Sequence, residues 1–266
     1  MGAESEDLPS LSIILVCMNN LAYVRKTFDS LSSLNYRSAH IVIIDSSKSA
    51  KIYDFVTNSD CHLKTDYEWQ SPQGVYAAMN LGIMKSLDNS YIWFLNPGDI
   101  LVSPDTVQKL LATLSKTRNL WGFAQARNAS PNQKQIYPRN IRQINPEVIS
   151  KGELAISHQA IFVKKSELIK KGLFNTKYKI ASDLEMILKL SNHSASFIEE
   201  VLVEIDQNGL SSRYPIVTIW ESAKINYDLG VWSINYALVK LLNNLFVLFY
   251  GSLIKNLSIL AKRVVK

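Results

Sequence analysis

Asp99 follows the run Tyr91-Ile92-Trp93-Phe94-Leu95-Asn96-Pro97-Gly98, and that setting gives it chemical interest. Tyr91 to Leu95 is continuously apolar and aromatic, the pattern of a strand covered on both faces. Asn96-Pro97-Gly98 must break that strand, which leaves Asp99 on a loop where open parallel sheets hold their ligands. With no Lys or Arg close in sequence, such a carboxylate suits a divalent cation that holds a phosphorylated substrate.

Other polar residues occupy comparable places, each with an ordinary structural role beside the chemical one. Asp45 ends the apolar run His40 to Ile44 and precedes Ser46-Ser47-Lys48-Ser49. A carboxylate at the end of a second strand commonly bonds a ribose or base, but taken alone Asp45 reads better as a turn-capping residue. Asn19-Asn20 follows the first strand, where Asn is an ordinary turn residue. Asp183, in KIASDLEMILKL, lies near a helix start and could simply cap it. Glu185, two positions on, cannot share its helix face. His158 precedes the apolar run QAIFV and could contact a metal or phosphate, or be a satisfied structural histidine. No G-x-G-x-x-G or Walker sequence is present, which argues against a dinucleotide fold or a P-loop enzyme.

These residues need a scaffold, and the first half of the chain supplies alternating elements. Strands are expected over Leu11–Val16, His40–Ile44 and Tyr91–Leu95, and helices over Tyr23–Leu34, Ile52–Val56 and Val75–Leu87. Ser103-Pro104 reads as an N-cap followed by proline at the first helical position, opening a helix to about Lys116. Strand–helix–strand order with short links predicts a parallel, doubly wound α/β sheet. Residues 126–151 are polar and carry Pro131, Pro138 and Pro146, so they read as a long excursion of the kind that often carries function. A strand over Gln159–Val163, a helix capped by Ser166 and a helix over Ala181–Leu190 follow.

Composition bounds the rest. The chain has 266 residues, 47% hydrophobic and 20% charged, enough for one elaborated domain with an apolar appendage. A net charge of +6 without a dense Lys/Arg stripe excludes a nucleic-acid binder and favours anionic membranes or phosphorylated ligands. Cys17 and Cys61 form no disulfide framework or metal spacing, and Cys17 is expected to be a core thiol. The start, MGAESEDLPS, is polar and acidic, not a secretory signal, so a cytosolic body is expected. From Tyr214 the composition turns apolar, yet the charge-free run Leu241–Ile254 is shorter than the ~20 residues a spanning helix needs. Lys255, Lys262, Arg263 and Lys266 follow it, which fits an interfacial helix; packing on the body or on a second copy is the other reading.

Taken in order, LSIILVCMNN, VIIDSS, GVYAAMNLGI, YIWFLNPGD, HQAIF and IASDLEMILKL resemble the family 2 glycosyltransferases of GT-A fold. The resemblance covers roughly Leu11 to Gly209, with NGLSS at 208–212 as a further match, and the bacterial exopolysaccharide, O-antigen and colanic-acid-type branch is the most similar. It implies a Rossmann-like, mostly parallel sheet flanked by helices, with a C-terminal helical extension. The implied organisation is a polar segment 1–10, a GT-A domain 11–213 with its halves meeting near residue 100, and a membrane-associating or oligomerising extension 214–266.

The resemblance also implies roles. Asp45 would bind the nucleoside, with Asn19 near the base and Gly74, Tyr76 and Asn80 lining the nucleotide-sugar site. Asp99 would hold Mn²⁺ or Mg²⁺ on the diphosphate, supported by His158. Asp183 would be the general base of an inverting displacement onto a lipid-linked or growing oligosaccharide acceptor. The donor would be a UDP-linked sugar, and the protein peripheral on the inner face of the cytoplasmic membrane. The chain departs from the family where Pro97-Gly98 replaces further acidic residues, where Pro72 and Ala77 replace aspartates, and where Asp45 lacks a following Gly-Ser-x-Asp-Gly. A catalytically degenerate nucleotide-sugar-binding or scaffold subunit is the alternative those losses suggest.

Overall fold

A computed structural model describes residues 8–34, 36, 38–128, 135–138, 144–152, 154–206 and 209–264, without the side chains of residues 210, 249 and 251–264. It divides into two compact units, residues 1–207 and 208–266. Most of the polar segment 1–10, parts of the excursion 126–151 and Asn208 of NGLSS lie outside the described residues.

The first unit begins as the alternation requires: β1 (Leu11–Cys17), α1 (Leu21–Leu31), β2 (Ala39–Asp45), α2 (Lys51–Thr57), β3 (Lys64–Trp69), α3 (Val75–Lys85) and β4 (Tyr91–Leu95). These strands pair in the order β3-β2-β1-β4, all parallel. Every residue of β2 and β4 is buried, in keeping with their unbroken apolar runs. On α1, Val24, Phe28 and Leu31 form the buried stripe. Cys17 is buried with its thiol on the Ile44 carbonyl at 3.7 Å, and burial drives its pKa far up, so it is a core thiol; both cysteines are free.

The sheet continues through β5 (Ile100–Leu101), α4 (Pro104–Thr117), β6 (Trp121–Asn128), β7 (Ile136–Tyr137), α5 (Pro146–Ser150), a 3-10 turn His158–Ala160, β8 (Ile161–Lys164), α6 (Lys165–Lys170), α7 (Ser182–Leu190) and β9 (Ala195–Ile205). The full order is β3-β2-β1-β4-β8-β6-β9-β5, with β7 beside β6. Here the pairings are mixed: β8 runs antiparallel to both β4 and β6, while β9 is parallel to β6. The expected parallel sheet therefore describes one half, and the second half departs from it. Ser103 caps α4 as expected, accepting the Thr106 amide at 3.2 Å. Ser166 does not cap α6, which starts at Lys165 after Lys164. The exposure-alternating β3 and the long β6 and β9 are strands the sequence reading did not expect.

The second unit holds α8 (Leu210–Arg213), α9 (Pro215–Asp228) and α10 (Ile234–Val264). Trp232 and Ala237 pack with Ala223 of α9, so the two longer helices share a small core. The unit starts ahead of the expected boundary at Tyr214. No helix among the described residues is long and apolar enough to cross a membrane.

Candidate active site

The order β3-β2-β1-β4 places a topological switch at β1, whose neighbours β2 and β4 connect in opposite directions. Asn19, Asp45 and Asn96 all follow or end these parallel strands at their carboxyl edge. Asn19 sits in the left-handed region at φ 56°, its amide donating to Ser47 Oγ at 2.7 Å while its Oδ1 accepts the Lys48 amide at 3.1 Å. The β1 and β2 loops are thereby stitched together. Asp45 is wholly buried: Oδ1 accepts the Ser47 amide at 2.8 Å and the Ser47 hydroxyl at 2.5 Å, and Oδ2 accepts the Tyr67 hydroxyl at 2.8 Å. The carboxylate expected to bind a nucleoside thus holds its own loop.

The loop after β4 is pinned by α1. Thr27 Oγ1 donates to the Asn96 carbonyl at 3.2 Å and accepts the Gly98 amide at 2.9 Å. Gly98 adopts φ 104°, and a Cβ there would lie 2.6 Å from the Tyr23 ring. Any side chain with a Cβ at that position would have to displace the Tyr23 ring and adopt a left-handed backbone. Asp99 is 1% exposed, with Oδ2 accepting the Asn96 amide at 2.8 Å and Oδ1 the Asp206 amide at 3.2 Å. Gln159 adds a side-chain hydrogen bond. Burial pushes the Asp99 carboxyl up to about 6 despite the opposing pull of those donors and of His158.

This donor set does not fit a divalent cation held by Asp99. The carboxylate is 1% exposed and faces backbone amides of its own loop and of the residue after β9, and its sequence neighbours Asn96, Pro97 and Gly98 carry no charge.

A different cluster forms around Asp183. Asp183 is the second residue of α7, and Ala181 occupies the capping position. Its Oδ2 lies 3.0 Å from His158 Nδ1, and its Oδ1 accepts the Tyr76 hydroxyl at 3.1 Å and the Leu184 amide at 3.0 Å. Side-chain exposure is 27% for Asp183 and 22% for His158, so this carboxylate, unlike Asp45 and Asp99, keeps an open face. An ionised carboxylate accepts at about four lone-pair sites, which leaves one on Oδ2 for a further donor. His158 Nε2 is 3.4 Å from Asn96 Nδ2, so the chain Tyr76–Asp183–His158–Asn96 links α3, α7, the 3-10 turn and the β4 loop. Burial opposes the charge on both partners of the Asp183–His158 pair. Their mutual hydrogen bond and attraction outweigh it, holding Asp183 below the usual carboxylate range and His158 above the usual imidazole range.

The remaining expected residues divide. Gly74 precedes α3 at φ 97° with open space where a Cβ would point. Tyr76 is buried against Asp183, and Asn80 exchanges two 2.9 Å hydrogen bonds with the Phe174 backbone. Sequence reasoning missed Ser47, Tyr67, Asn96, Gln159 and the Asp206 amide. The Asp-x-Ser spacing signals Ser47, and adjacency to His158 signals Gln159; nothing local marks Tyr67.

The family model for glycosyl transferase family 2 matches residues 12–172. The chain belongs to glycosyl transferase family 2. An uncharacterized glycosyltransferase of Mycobacterium tuberculosis strain H37Rv is 30% identical over 213 residues, covering 77% of this chain and 78% of that protein. Among solved structures, S. aureus TarS 1-349 in complex with UDP-GlcNAc matches with a TM-score of 0.66 at 12% identity, covering 89% of this chain and 72% of that one. The Pyrobaculum calidifontis mannosyltransferase PcManGT, in complex with GDP-Man and Mn²⁺, matches at 0.63 with 14% identity, covering 95% and 80%. The GT-A fold expected from the sequence is shown by these matches. The family 2 glycosyltransferase assignment makes this protein an enzyme of sugar transfer.

Proposed function

We propose that this glycosyltransferase moves a sugar with inversion from a nucleotide sugar, UDP-linked, to a hydroxyl of a lipid-linked or growing cell-surface glycan, with Asp183 as general base. The observation that carries this reading is the part-exposed Asp183 carboxylate, fixed by three donors and keeping one acceptor position on Oδ2. An acceptor hydroxyl bonded there gives its proton to Oδ2 as its oxygen attacks the anomeric carbon. The bond from that carbon to the diphosphate breaks with the electron pair leaving on the diphosphate. His158 Nδ1 holds Oδ2 at 3.0 Å and stabilises the carboxylate before transfer. General-base catalysis of this kind supplies on the order of 10²–10⁴ in rate.

Nucleotide-sugar binding is supported by the family and by the carboxyl edge of β1, β2 and β4, beside which Asn19 and Gly74 are exposed. The transfer step runs without assigning Mn²⁺ or Mg²⁺ to Asp99, whose carboxylate faces backbone amides.

A membrane-surface acceptor is supported by the second unit. Tyr214, Ile216, Trp220, Leu242, Phe246 and Val247 are each more than half exposed. Lys255, Lys262, Arg263 and Lys266 follow in sequence. The 31-residue α10 carries its apolar residues over a length of about 46 Å, suited to lying in an interface rather than crossing it. The reading places the catalytic unit over residues 11–213, the membrane-associating extension over 214–266, and the protein on the inner face of the cytoplasmic membrane.

The test is release of UDP from UDP-GlcNAc and UDP-glucose, and of GDP from GDP-mannose, with a polyprenyl-diphosphate sugar as acceptor. Asp183→Asn is expected to lose at least 100-fold in kcat with unchanged donor affinity. Equal turnover by wild type and Asp183→Asn would remove Asp183 from the role, and absence of turnover for every donor in the wild type would favour the degenerate subunit. Co-sedimentation with anionic vesicles, lost on deletion of residues 214–266, tests the surface; a dimer that ignores vesicles would assign the extension to a second copy.

A further inference from the structure

The segment Gly74-Val75-Tyr76-Ala77-Ala78-Met79-Asn80 opens α3, and its two polar side chains both reach the approach to α7. Tyr76 and Asn80 are four residues apart, hence on one helix face. Asn80 clamps the Phe174 backbone through both its amide groups, at 2.9 Å each way. Phe174 in turn stacks on the Tyr76 ring, with centroids 5.5 Å apart and planes at 26°. The ring is therefore stacked on a residue that is itself clamped, and its hydroxyl is delivered to one place.

At that place the hydroxyl finds two acceptors, Asp183 Oδ1 at 3.1 Å and the Ile180 carbonyl, and lies 3.4 Å from the Asp183 amide. A phenol has one proton to donate, so it serves one of the two acceptors at a time. While Asp183 is charged, donation to Oδ1 stabilises it. Once Asp183 carries a proton, the demand for that bond falls, and the hydroxyl turns to Ile180 with no buried group left unsatisfied.

We infer that Tyr76 is a positioning residue for the general base, holding Asp183 Oδ1 before proton transfer and releasing it to the Ile180 carbonyl afterwards. This rests on Asp183 being the base. It gives Tyr76 a role apart from contact with the nucleotide sugar, which its burial at 5% exposure also disfavours. The phenol's own ionisation is pushed far up, chiefly by burial and then by the Asp183 charge, so it acts as a neutral donor throughout. The groups facing Asp183 are Tyr76 from α3 and His158 from the 3-10 turn, with the charge of Asp99 acting through His158. On α7 itself Glu185 is engaged by Lys189 at 3.0 Å, and on the neighbouring α5 Glu147 is engaged by Lys151 at 2.6 Å.

The measurement is the titration of the Asp183 carboxyl carbon by NMR in the full chain, its signal assigned by loss in Asp183→Asn. Tyr76→Phe keeps the ring stack and removes only the hydroxyl. It is expected to move the Asp183 titration up by about one pH unit, the size of one hydrogen bond to a charged group. Phe174→Leu, which loosens the stack and keeps the hydroxyl, is expected to lower Tm without moving that titration. Incorporating a fluorinated tyrosine at position 76, whose hydroxyl is the stronger donor, should move the titration down and keeps the test available should Tyr76→Phe fold poorly. An unmoved titration in Tyr76→Phe, or an equal shift in Phe174→Leu, overturns the inference. In turnover with UDP-GlcNAc, Tyr76→Phe should lower kcat about tenfold with donor KM within twofold. A rise in donor KM with kcat unchanged would instead make Tyr76 a donor contact and overturn it. Full activity in Asp183→Asn would overturn the base reading itself, a result distinct from any outcome at Tyr76.

Discussion

The loop that carries Asp99 and the helix start that carries Asp183 are built from the same parts and reach opposite capacities. Each carboxylate receives three hydrogen bonds, including a backbone amide and a neighbouring side chain. Asp99 is 1% exposed and takes two of its bonds from backbone amides of separate segments, so its carboxyl oxygens serve to tie the β4 loop to the end of β9. Asp183 is 27% exposed at the side chain and takes two of its bonds from the side chains of Tyr76 and His158, which aim it without enclosing it. A carboxylate's chemistry thus depends less on how many donors it has than on whether they leave a lone pair facing outward. The largest expected effect exploits that contrast: Asp183→Asn loses at least 100-fold in kcat, far beyond what the small loss of Tm from giving up its ion pair with His158 explains, whereas Asp99→Asn loses Tm before it loses rate. Reversal of the two phenotypes, read by turnover and thermal melts on the same preparations, would break the comparison.

Gly98 sharpens it next. Restoring an acid by Gly98→Asp meets the Tyr23 ring 2.6 Å from the new Cβ and a backbone at φ 104°. The expected cost is on the order of 2–3 kcal/mol, a drop in Tm of roughly 4–12 °C for a domain of this size. A Gly98→Asp protein of unchanged Tm that gains Mn²⁺-dependent UDP binding by calorimetry would show that the loop can accept a cation after all. Chelation belongs to the same contrast. Mn²⁺-dependent UDP affinity, if measured in the wild type, should change less than threefold in Asp99→Asn, because that carboxylate faces its own loop.

The two acids also differ in the sign of their pH linkage. Asp99 has a folded pKa raised from 3.8 to about 6, so its protonated form favours folding. That stability is full below pH 3.8 and lost as pH rises through about 6, amounting to about 3 kcal/mol. Asp183 is lowered, so its contribution is present above the unfolded value of 3.8 and lost as pH falls through its folded value. Asp99→Asn should therefore flatten the fall in stability between pH 4 and 6 and leave the acid side untouched, as read by urea midpoints across pH.

Much of this was legible in the residues, because period and punctuation are local signals. The runs at Leu11, His40 and Tyr91 became β1, β2 and β4, and Ser103-Pro104 opened α4. Asp183 and His158 were singled out separately, but their 3.0 Å contact joins residues of the 3-10 turn and α7 that no spacing rule connects. Position on a strand end located Asp45 and Asp99 without revealing that both point inward, since the donors that capture them are largely backbone amides or distant side chains such as Tyr67 and Gln159. The mixed half of the sheet escaped for a related reason. β6 and β9 owe their pairing to each other across a long sequence separation, and polar residues such as Gln125 and Glu204 obscure their period.

The smallest expected effect lies at Asp45, where the contrast can be tested on a third carboxylate. Ser47 Oγ both donates to Asp45 Oδ1 and accepts the Asn19 amide, so one hydroxyl joins the loops of β1 and β2. Ser47→Ala removes both bonds but leaves the Ser47 amide and the Tyr67 hydroxyl on Asp45. The Asn19 amide, in a part-exposed loop, then turns to water, which limits the loss to about 1 kcal/mol. Because the freed Oδ1 lone pair remains walled in by β2 and Tyr67, nucleotide affinity should stay within twofold of wild type. A larger gain or loss of UDP binding by calorimetry would mean that Asp45 opens toward the ligand once Ser47 lets go. Burial alone would then no longer separate it from Asp183.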